Sequence, residues 1–283
     1  MSIKHTLLLT CNLVVVLAAA QIKGICIDAY SKEPIPYVNI SLKDSDYGTV
    51  TNLKGIFSLN GQKIKKTDSL IVSHLNYKTQ RVGVQNNGLE TIELIPKERM
   101  LKEVIVSNKL KAIVEKIVGT KNATKKVTLS FVSDNLGTEV GKLIEVEKNQ
   151  TFELKKLFFN VARLGFKEAT FRINFYQLEN QNLINKNNSN TKEIITKVTK
   201  EGPVEIDLDD AYLSFKSDFL VTIEWIDYMI DTDIAIDNRK IFIASAKRSG
   251  PFIVRPTVNS PWNTVKVKFN FGLGISLLVA GYE

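Results

Sequence analysis

A chain of 283 residues, 44% hydrophobic and 24% charged, is ordinary for a globular protein and long enough for two domains with a core each. Its formal charge is +8, and beyond residue 20 a single histidine, His74, and a single cysteine, Cys26, are too few for a zinc centre of His or Cys ligands. Beyond the N-terminus no apolar run is long enough to cross a bilayer as a helix.

Residues 1–20 read as a signal peptide. Lys4 and His5 precede an apolar stretch from Leu7 to Leu17, broken only by Thr10, Cys11 and Asn12, and Ala18-Ala19-Ala20 supplies a cleavage site before Gln21. The expected location follows: exported, in the periplasm or associated with the outer membrane or cell surface. Loss of Lys4 takes the charge from +8 to +7. Cys26 is then the single cysteine, so no intramolecular disulfide can form, and it should pack as a small hydrophobe. Lys109, Lys111, Lys116, Lys121, Lys125 and Lys126 form a basic block opposed by Glu115 alone. In an exported chain such a block suits anionic lipids or polysaccharides rather than nucleic acid, and a solvated linker face is its plainer reading.

Short strands separated by turn residues fill residues 21–107. The stretch 48–59 organises them: Asn52 and Gly55 are residue types that tolerate positive φ at a reversal, and Phe57 and Leu59 then face one way while Ile56 and Ser58 face the other. Residues 68–77 read as strand, turn and aromatic plug, with a left-handed turn residue expected at Asn76. Four motifs in this order, I-x-G-x-C-x-D, E-P-I-P-Y-V-N-I, G-T-V-T-N-L-K-G-I-F-S-L and D-S-L-I-V-S-H-L-N-Y, resemble the carboxypeptidase-regulatory-like domain, a transthyretin-type (prealbumin-like) β-sandwich. The resemblance covers residues 21–107 and implies a non-catalytic accessory module. The same domain precedes the plug of TonB-dependent outer-membrane transporters, where it leads into a segment similar to residues 100–106. Only about 175 residues follow here, too few for a barrel of roughly 22 strands of 9–11 residues each.

Leu110, Ile113, Val114, Ile117 and Val118 recur at three- and four-residue spacing, which predicts a short helix within a linker at 108–125. Alternation returns over 126–283, with strands expected at 127–132, 139–147, 157–161, 171–176, 194–198, 204–208, 219–225, 240–244, 264–271 and 273–280. This is the pattern of a second all-β unit, a jelly-roll-like sandwich, so the fold class is all-β with two sandwich domains. The Asn-rich stretch 179–192 should be an exposed loop. F-R-I-N-F-Y at 171–176, G-P-V-E-I-D-L at 202–208 and D-F-L-V-T-I-E-W-I at 218–226 resemble the domain that follows the first in a group of exported Gram-negative envelope proteins.

Candidate chemistry is sparse. His74, the one histidine after export, sits in a turn motif with a structural explanation. Asp207, Asp209 and Asp210, and Asp227, Asp231, Asp233 and Asp237, are clusters that could serve glycan hydrolysis or hold calcium; polar loop ends are their default reading. Trp225 belongs to an apolar strand face and so to the core. Trp262, in a turn after Pro261, is the candidate ligand-binding ring, with Tyr228 behind it. Arg172 and Glu224, each polar on the alternate face of an apolar strand, would form a cross-strand ion pair if their strands were neighbours. No catalytic, cofactor or metal residues are assigned. The chain reads as a non-enzymatic binding or assembly module of the bacterial cell envelope, its partner an envelope protein or a glycan, with a link to outer-membrane nutrient uptake. A carbohydrate-binding module is the alternative, and a glycan hydrolase working through Asp or Glu the third reading.

Overall fold

The computed structural model describes residues 21–60, 64–65, 67–84, 89–98, 114–132, 136–147, 150–179, 182–185, 193–266 and 271–282. The expected signal peptide, the first part of the expected linker and most of the Asn-rich stretch lie outside the described residues.

The fold is all-β. In the first unit a three-stranded sheet runs Ile56–Asn60, Gln21–Asp28, Leu89–Leu94, and a four-stranded sheet runs Gly48–Val50, Asn39–Leu42, Ser69–His74, Tyr77–Gly83. Cys26, Phe57, Leu59, Ile92 and Leu94 from the first sheet meet Ile40, Leu70 and Val72 from the second in one apolar cluster, so the pair is a sandwich. Period-two alternation sets which side chains enter it. Cys26 is enclosed there, and burial pushes its thiol up to about 12.

The turn at 52–55 works in two ways. Gly55 takes φ +70°, where a Cβ would stand 2.6 Å from the Cys26 carbonyl oxygen. Asn52 needs no positive φ: its Oδ1 accepts hydrogen bonds from the Lys54 N–H at 2.9 Å and the Ile56 N–H at 3.1 Å. Asn76 corrects the expectation of a left-handed residue, since it is not among those with positive φ. Its backbone N–H instead donates to His74 Nδ1 at 3.2 Å, so the imidazole shapes this turn.

The second unit also has two packed sheets. One runs Asn182–Asn185, Glu168–Glu179, Phe219–Met229, Glu139–Ile144, Phe252–Arg255, Asn263–Val265, with Ile194–Val198 also paired to Glu168–Glu179. The other centres on Thr151–Leu164, flanked by Ser276–Tyr282 and Lys240–Ala246. Phe171, Ile173, Phe175, Val221, Ile223 and Trp225 from the first sheet pack on Leu154, Leu157, Phe159, Ile241 and Leu277 from the second. Trp225 is core, as expected. Asn182–Asn185 forms a hairpin strand on Glu168–Glu179 where the sequence suggests only loop.

The linker helix is a second correction. Val114–Gly119 is a strand, paired antiparallel with Ser276–Tyr282 from Val114↔Gly281 to Gly119↔Ser276. Three- and four-residue spacing over so short a stretch also fits an edge strand, and Val114, Ile117 and Val118 are β-branched residues that favour one. Residues 108–113 lie outside the described residues. Lys116, placed by the sequence on a linker face, pairs with Glu147 at 2.8 Å and lies over the Phe152 ring.

Candidate functional site: a charged seam between the units

Alternation places Arg172, Asn174 and Tyr176 on the opposite face of their strand from Phe171, Ile173 and Phe175. The register then lines up four charges across four neighbouring strands. Arg172 stands opposite Glu224, Glu224 opposite Glu139, and Glu139 opposite Arg255. On this outward face they are nevertheless buried: Arg172 is 6% exposed, Glu224 and Glu139 1%, and Arg255 8%. Tyr37 and Asn39 of the first unit cover Arg172 and Glu224, and Trp262 of the second unit lies against Arg255.

Arg172 ties the units together. Its Nη1 donates to both oxygens of Glu224, at 3.3 and 3.2 Å, and its Nη2 donates to the Tyr37 carbonyl oxygen at 2.6 Å. Tyr37 holds φ +59°, a strained value for a bulky residue, and its ring joins Val50, Ile226, Leu136 and Ile195 in an apolar cluster spanning both units. With its amide oriented to suit its neighbours, Asn39 donates to Glu224 Oε1 at 3.0 Å and accepts from Arg172 Nη1 at 3.1 Å. Asn174 Nδ2 supplies Glu224 Oε2 at 3.0 Å. The ion pair foreseen between Arg172 and Glu224 therefore exists, and a first-unit side chain completes it.

Glu139 is equally occupied. Arg255 donates to its Oε1 through Nε at 3.0 Å and through Nη2, while the Tyr176 and Thr222 hydroxyls donate to Oε2 at 2.8 Å each. An ionised carboxylate offers about four acceptor positions, so both buried glutamates are saturated. Burial, helped by the Glu139 charge, raises the Glu224 carboxyl against the pull of Arg172. Burial likewise lifts Tyr176 well above the usual phenol range. For Arg172, burial opposes the charge, and the carboxylates of Glu224, Glu193 and Glu139 outweigh it, so its value rises.

Beside this row, His74 and Glu193 close the seam from either unit. His74 Nδ1 is taken by the Asn76 N–H, which leaves Nε2 toward Glu193 Oε2 at 3.6 Å. Burial pushes the Glu193 carboxyl up, but His74 and Arg172 overcome that and hold it below the ordinary 4.5. Glu193 Oε1 lies 3.1 Å from Arg172 Nε, yet the geometry gives neither atom a hydrogen bond. Between the units these groups line a cavity of about 260 Å³, together with Ser73, Leu75, Thr79, Lys97 and Val258.

The residues expected to bind ligand fall apart. Trp262 packs edge-on to Tyr176 with ring centroids 5.2 Å apart, and the Arg255 guanidinium sits 4.2 Å over its ring. It braces the seam, half-buried, rather than standing free. Tyr228 lies by the other end of the Glu168–Glu179 strand, opposite Ala169, packed on Phe166 and Trp225. The two aromatics make no common site. In the Asp clusters, Asp209 pairs with Lys155 at 3.3 Å, and the Asp231 side chain accepts from the Asp233 N–H. Among the described residues no three His, Cys, Asp or Glu side chains are placed to hold a metal ion. Glu139, Glu193, Arg255 and Asn39 were not singled out in the sequence. For Arg255 the signal was present, a charge closing the apolar run Phe252-Ile253-Val254.

Residues 22–106 match the family described as the CarboxypepD_reg-like domain, so the first unit is a domain of that family. A little over half of the chain is similar to solved structures of a clostridial protease. One is a cysteine-to-alanine variant of the clostridial cysteine protease Cwp84 after propeptide cleavage, at 11% identity over 59% of this chain and 40% of that one, with a TM-score of 0.42. The other comprises the cysteine protease and lectin-like domains of Cwp84, a surface layer associated protein of Clostridium difficile. It matches at 9% identity over 54% of this chain and 36% of that one, with a TM-score of 0.36. The matches thus span about two-fifths or less of the protease chains. A search of curated proteins gives no match. Among the described residues, no helix is long and apolar enough to cross a membrane.

Proposed function

We propose that this protein is an exported, non-catalytic binding and assembly module of the bacterial cell envelope, acting at the cleft between its two units. The observation that carries this reading is the saturation of the buried acids. Glu139 and Glu224, opposite each other on adjacent strands, are the carboxylate pair a glycan hydrolase would need. Each accepts four hydrogen bonds from fixed partners, those of Glu139 all within the second unit and one of those of Glu224 from Asn39 of the first, so they are structural anchors rather than groups that exchange protons with a substrate. A role beside outer-membrane nutrient uptake fits the regulatory-like domain of residues 22–106.

The second reading, a carbohydrate-binding module, is favoured by the mixture of donors and acceptors lining the cleft. Chemical crosslinking of residues 21–283 in envelope extract, paralleled by a glycan array, tests the proposal. Capture of a defined envelope protein or glycan that is lost in Thr79→Trp, a plug at the cleft mouth, is the expected result. Capture untouched by the plug, or turnover of any arrayed glycan, would overturn it.

A further inference from the structure

The basic block that the sequence sets at 109–126 is divided by the fold. Lys109 and Lys111 lie outside the described residues, and Lys116 turns to Glu147. Lys121, Lys125 and Lys126 meet a second run of bases, carried by the strand Lys240–Ala246 and the turn after it. Antiparallel pairing sets Ala244 opposite Thr128 and then Ser245 opposite Thr124, so Lys125, Lys126 and Val127 bulge out of the ladder. Lys247 and Arg248 follow at the end of the neighbouring strand. Lys266 stands one residue past Val265, the partner of Phe252 just beyond that turn. All six bases are exposed.

The segments that carry them are fixed to one another. Thr120 Oγ1 donates to the Leu273 carbonyl oxygen at 2.7 Å, and Leu273 pairs with Ser245. Gly274 packs so closely on Ala123 that a Cβ there would lie 2.7 Å from the Ala123 Cβ, and Gly272 packs in the same way on Ser249 and Gly250. The Lys142 ammonium donates to the Ser249 carbonyl oxygen and ties down the turn.

No Asp or Glu occurs between residues 116 and 133, nor between 238 and 282. Two acid-free stretches are thus laid side by side, and their summed field attracts anions. The carboxylate of Glu145 acts on the buried Lys142. Two features choose the partner. Five of the six bases are lysines, compact hydrated charges suited to a diffuse field, whereas tight recognition of single phosphates or carboxylates favours the arginine fork. Among the described residues, none of the exposed large apolar side chains lies in these turns, so no ring offers a sugar chain a stacking platform. Bases projecting from a bulge and a turn meet a plane better than a strand-like chain.

We propose that this end of the second unit docks on the anionic headgroup plane of a lipid bilayer, held by charge without insertion. The docking is independent of the cleft between the units.

The test sediments residues 21–283 with vesicles of phosphatidylcholine alone and of equimolar phosphatidylcholine and phosphatidylglycerol. The protein should bind the anionic vesicles only. Affinity should fall about tenfold or more between about 0.1 and about 1 M salt, as the screening length drops from ~10 Å to ~3 Å. A base near an anionic surface contributes about fivefold in affinity, so Lys125→Gln with Lys126→Gln should cost about tenfold or more. Lys121→Gln with Lys266→Gln, drawn from other segments, should cost as much. Lys167→Gln with Lys240→Gln removes the same charge where the Gly165 N–H meets the Lys240 carbonyl oxygen, at the far end of the strand. That is about 20 Å away, so this control should leave affinity within about twofold. No binding to anionic vesicles, binding untouched by salt, or equal loss in the control overturns the proposal. Tighter binding of polygalacturonate than of anionic vesicles at the same salt would make an acidic polysaccharide the occupant and overturn the bilayer.

Discussion

The two faces of the strand Glu168–Glu179 are buried to nearly the same degree by opposite means. On one, Phe171, Ile173 and Phe175 are wholly enclosed in the second unit's core. On the other, Arg172, Asn174 and Tyr176 are almost as enclosed, Arg172 beneath Tyr37 of the first unit and Tyr176 against Trp262. The apolar face gains stability by leaving water, and its contacts need fill and shape but no directional partner for each atom. The polar face gains little net and must be matched atom for atom, because each buried charge left unpaired is expensive. The same strand thus carries a core that makes the second unit fold and a seam that fixes how the first unit sits on it.

The largest expected effect separates these modes directly. Arg172→Met leaves Glu224 buried without its cation and should cost about 3–5 kcal/mol in denaturant unfolding of residues 21–283. Phe171→Ala, on the opposite face one residue away, should cost about the same 3–5 kcal/mol through a cavity. The faces differ in rescue: Arg172→Met with Glu224→Leu should recover most of the loss, as replacing both members of a buried pair does elsewhere. A double variant as unstable as the single one would show that the seam is not governed by charge pairing.

Trp262 comes next. Because it stacks on Arg255 and leans on Tyr176, Trp262→Ala should lower stability by about 1–2 kcal/mol, more than a free surface ring and less than a core one. A drop as large as that of Phe171→Ala would place it in the core after all. The sequence suggests Trp262 as a ligand-binding ring in a turn after Pro261, but nothing in it says that a guanidinium from Arg255 would occupy the ring.

That pattern holds for the site generally. Period-two alternation over 171–176 and 219–225 told core from outer face correctly, and the four motifs of residues 21–77 indicated the first sandwich. What alternation cannot carry is which outer face another unit will cover. Asn39, Glu139, Glu193 and Arg255 are scattered over more than 200 residues of chain; strand pairing within the second unit joins Glu139 to Arg255, and only the docking of the units brings Asn39 to the row. The linker helix failed for a local reason: five apolar positions over nine residues fit either period, and pairing with Ser276–Tyr282 decided it.

The seam should also respond to acid where the core does not. The Glu193 carboxyl sits below its ordinary 4.5 in the folded state, so its contribution is present above that pH and is lost as pH falls through the folded value. Glu193→Gln should therefore lower the melting temperature in the neutral range and flatten its fall below pH 4.5, where the two proteins converge. An acid limb of unaltered slope in that variant would assign the loss to other carboxylates. Smallest of all, Asn76→Gly should be slightly destabilising, by roughly 0.5–1 kcal/mol, because this position has no positive φ for glycine to relieve. Stabilisation by glycine in thermal melts would restore the left-handed turn.

The claim that one polar seam joins the two units rests most directly on Asn39 of the first and Arg172 of the second, 3.1 Å apart from Oδ1 to Nη1 in the paired orientation. A double-mutant cycle of Asn39→Ala and Arg172→Met, measured by denaturant unfolding of residues 21–283, isolates their interaction. The account predicts a coupling energy between about 0.5 and 3 kcal/mol. Changes that simply add, to within about 0.3 kcal/mol, would mean that the units are folded side by side without the seam joining them.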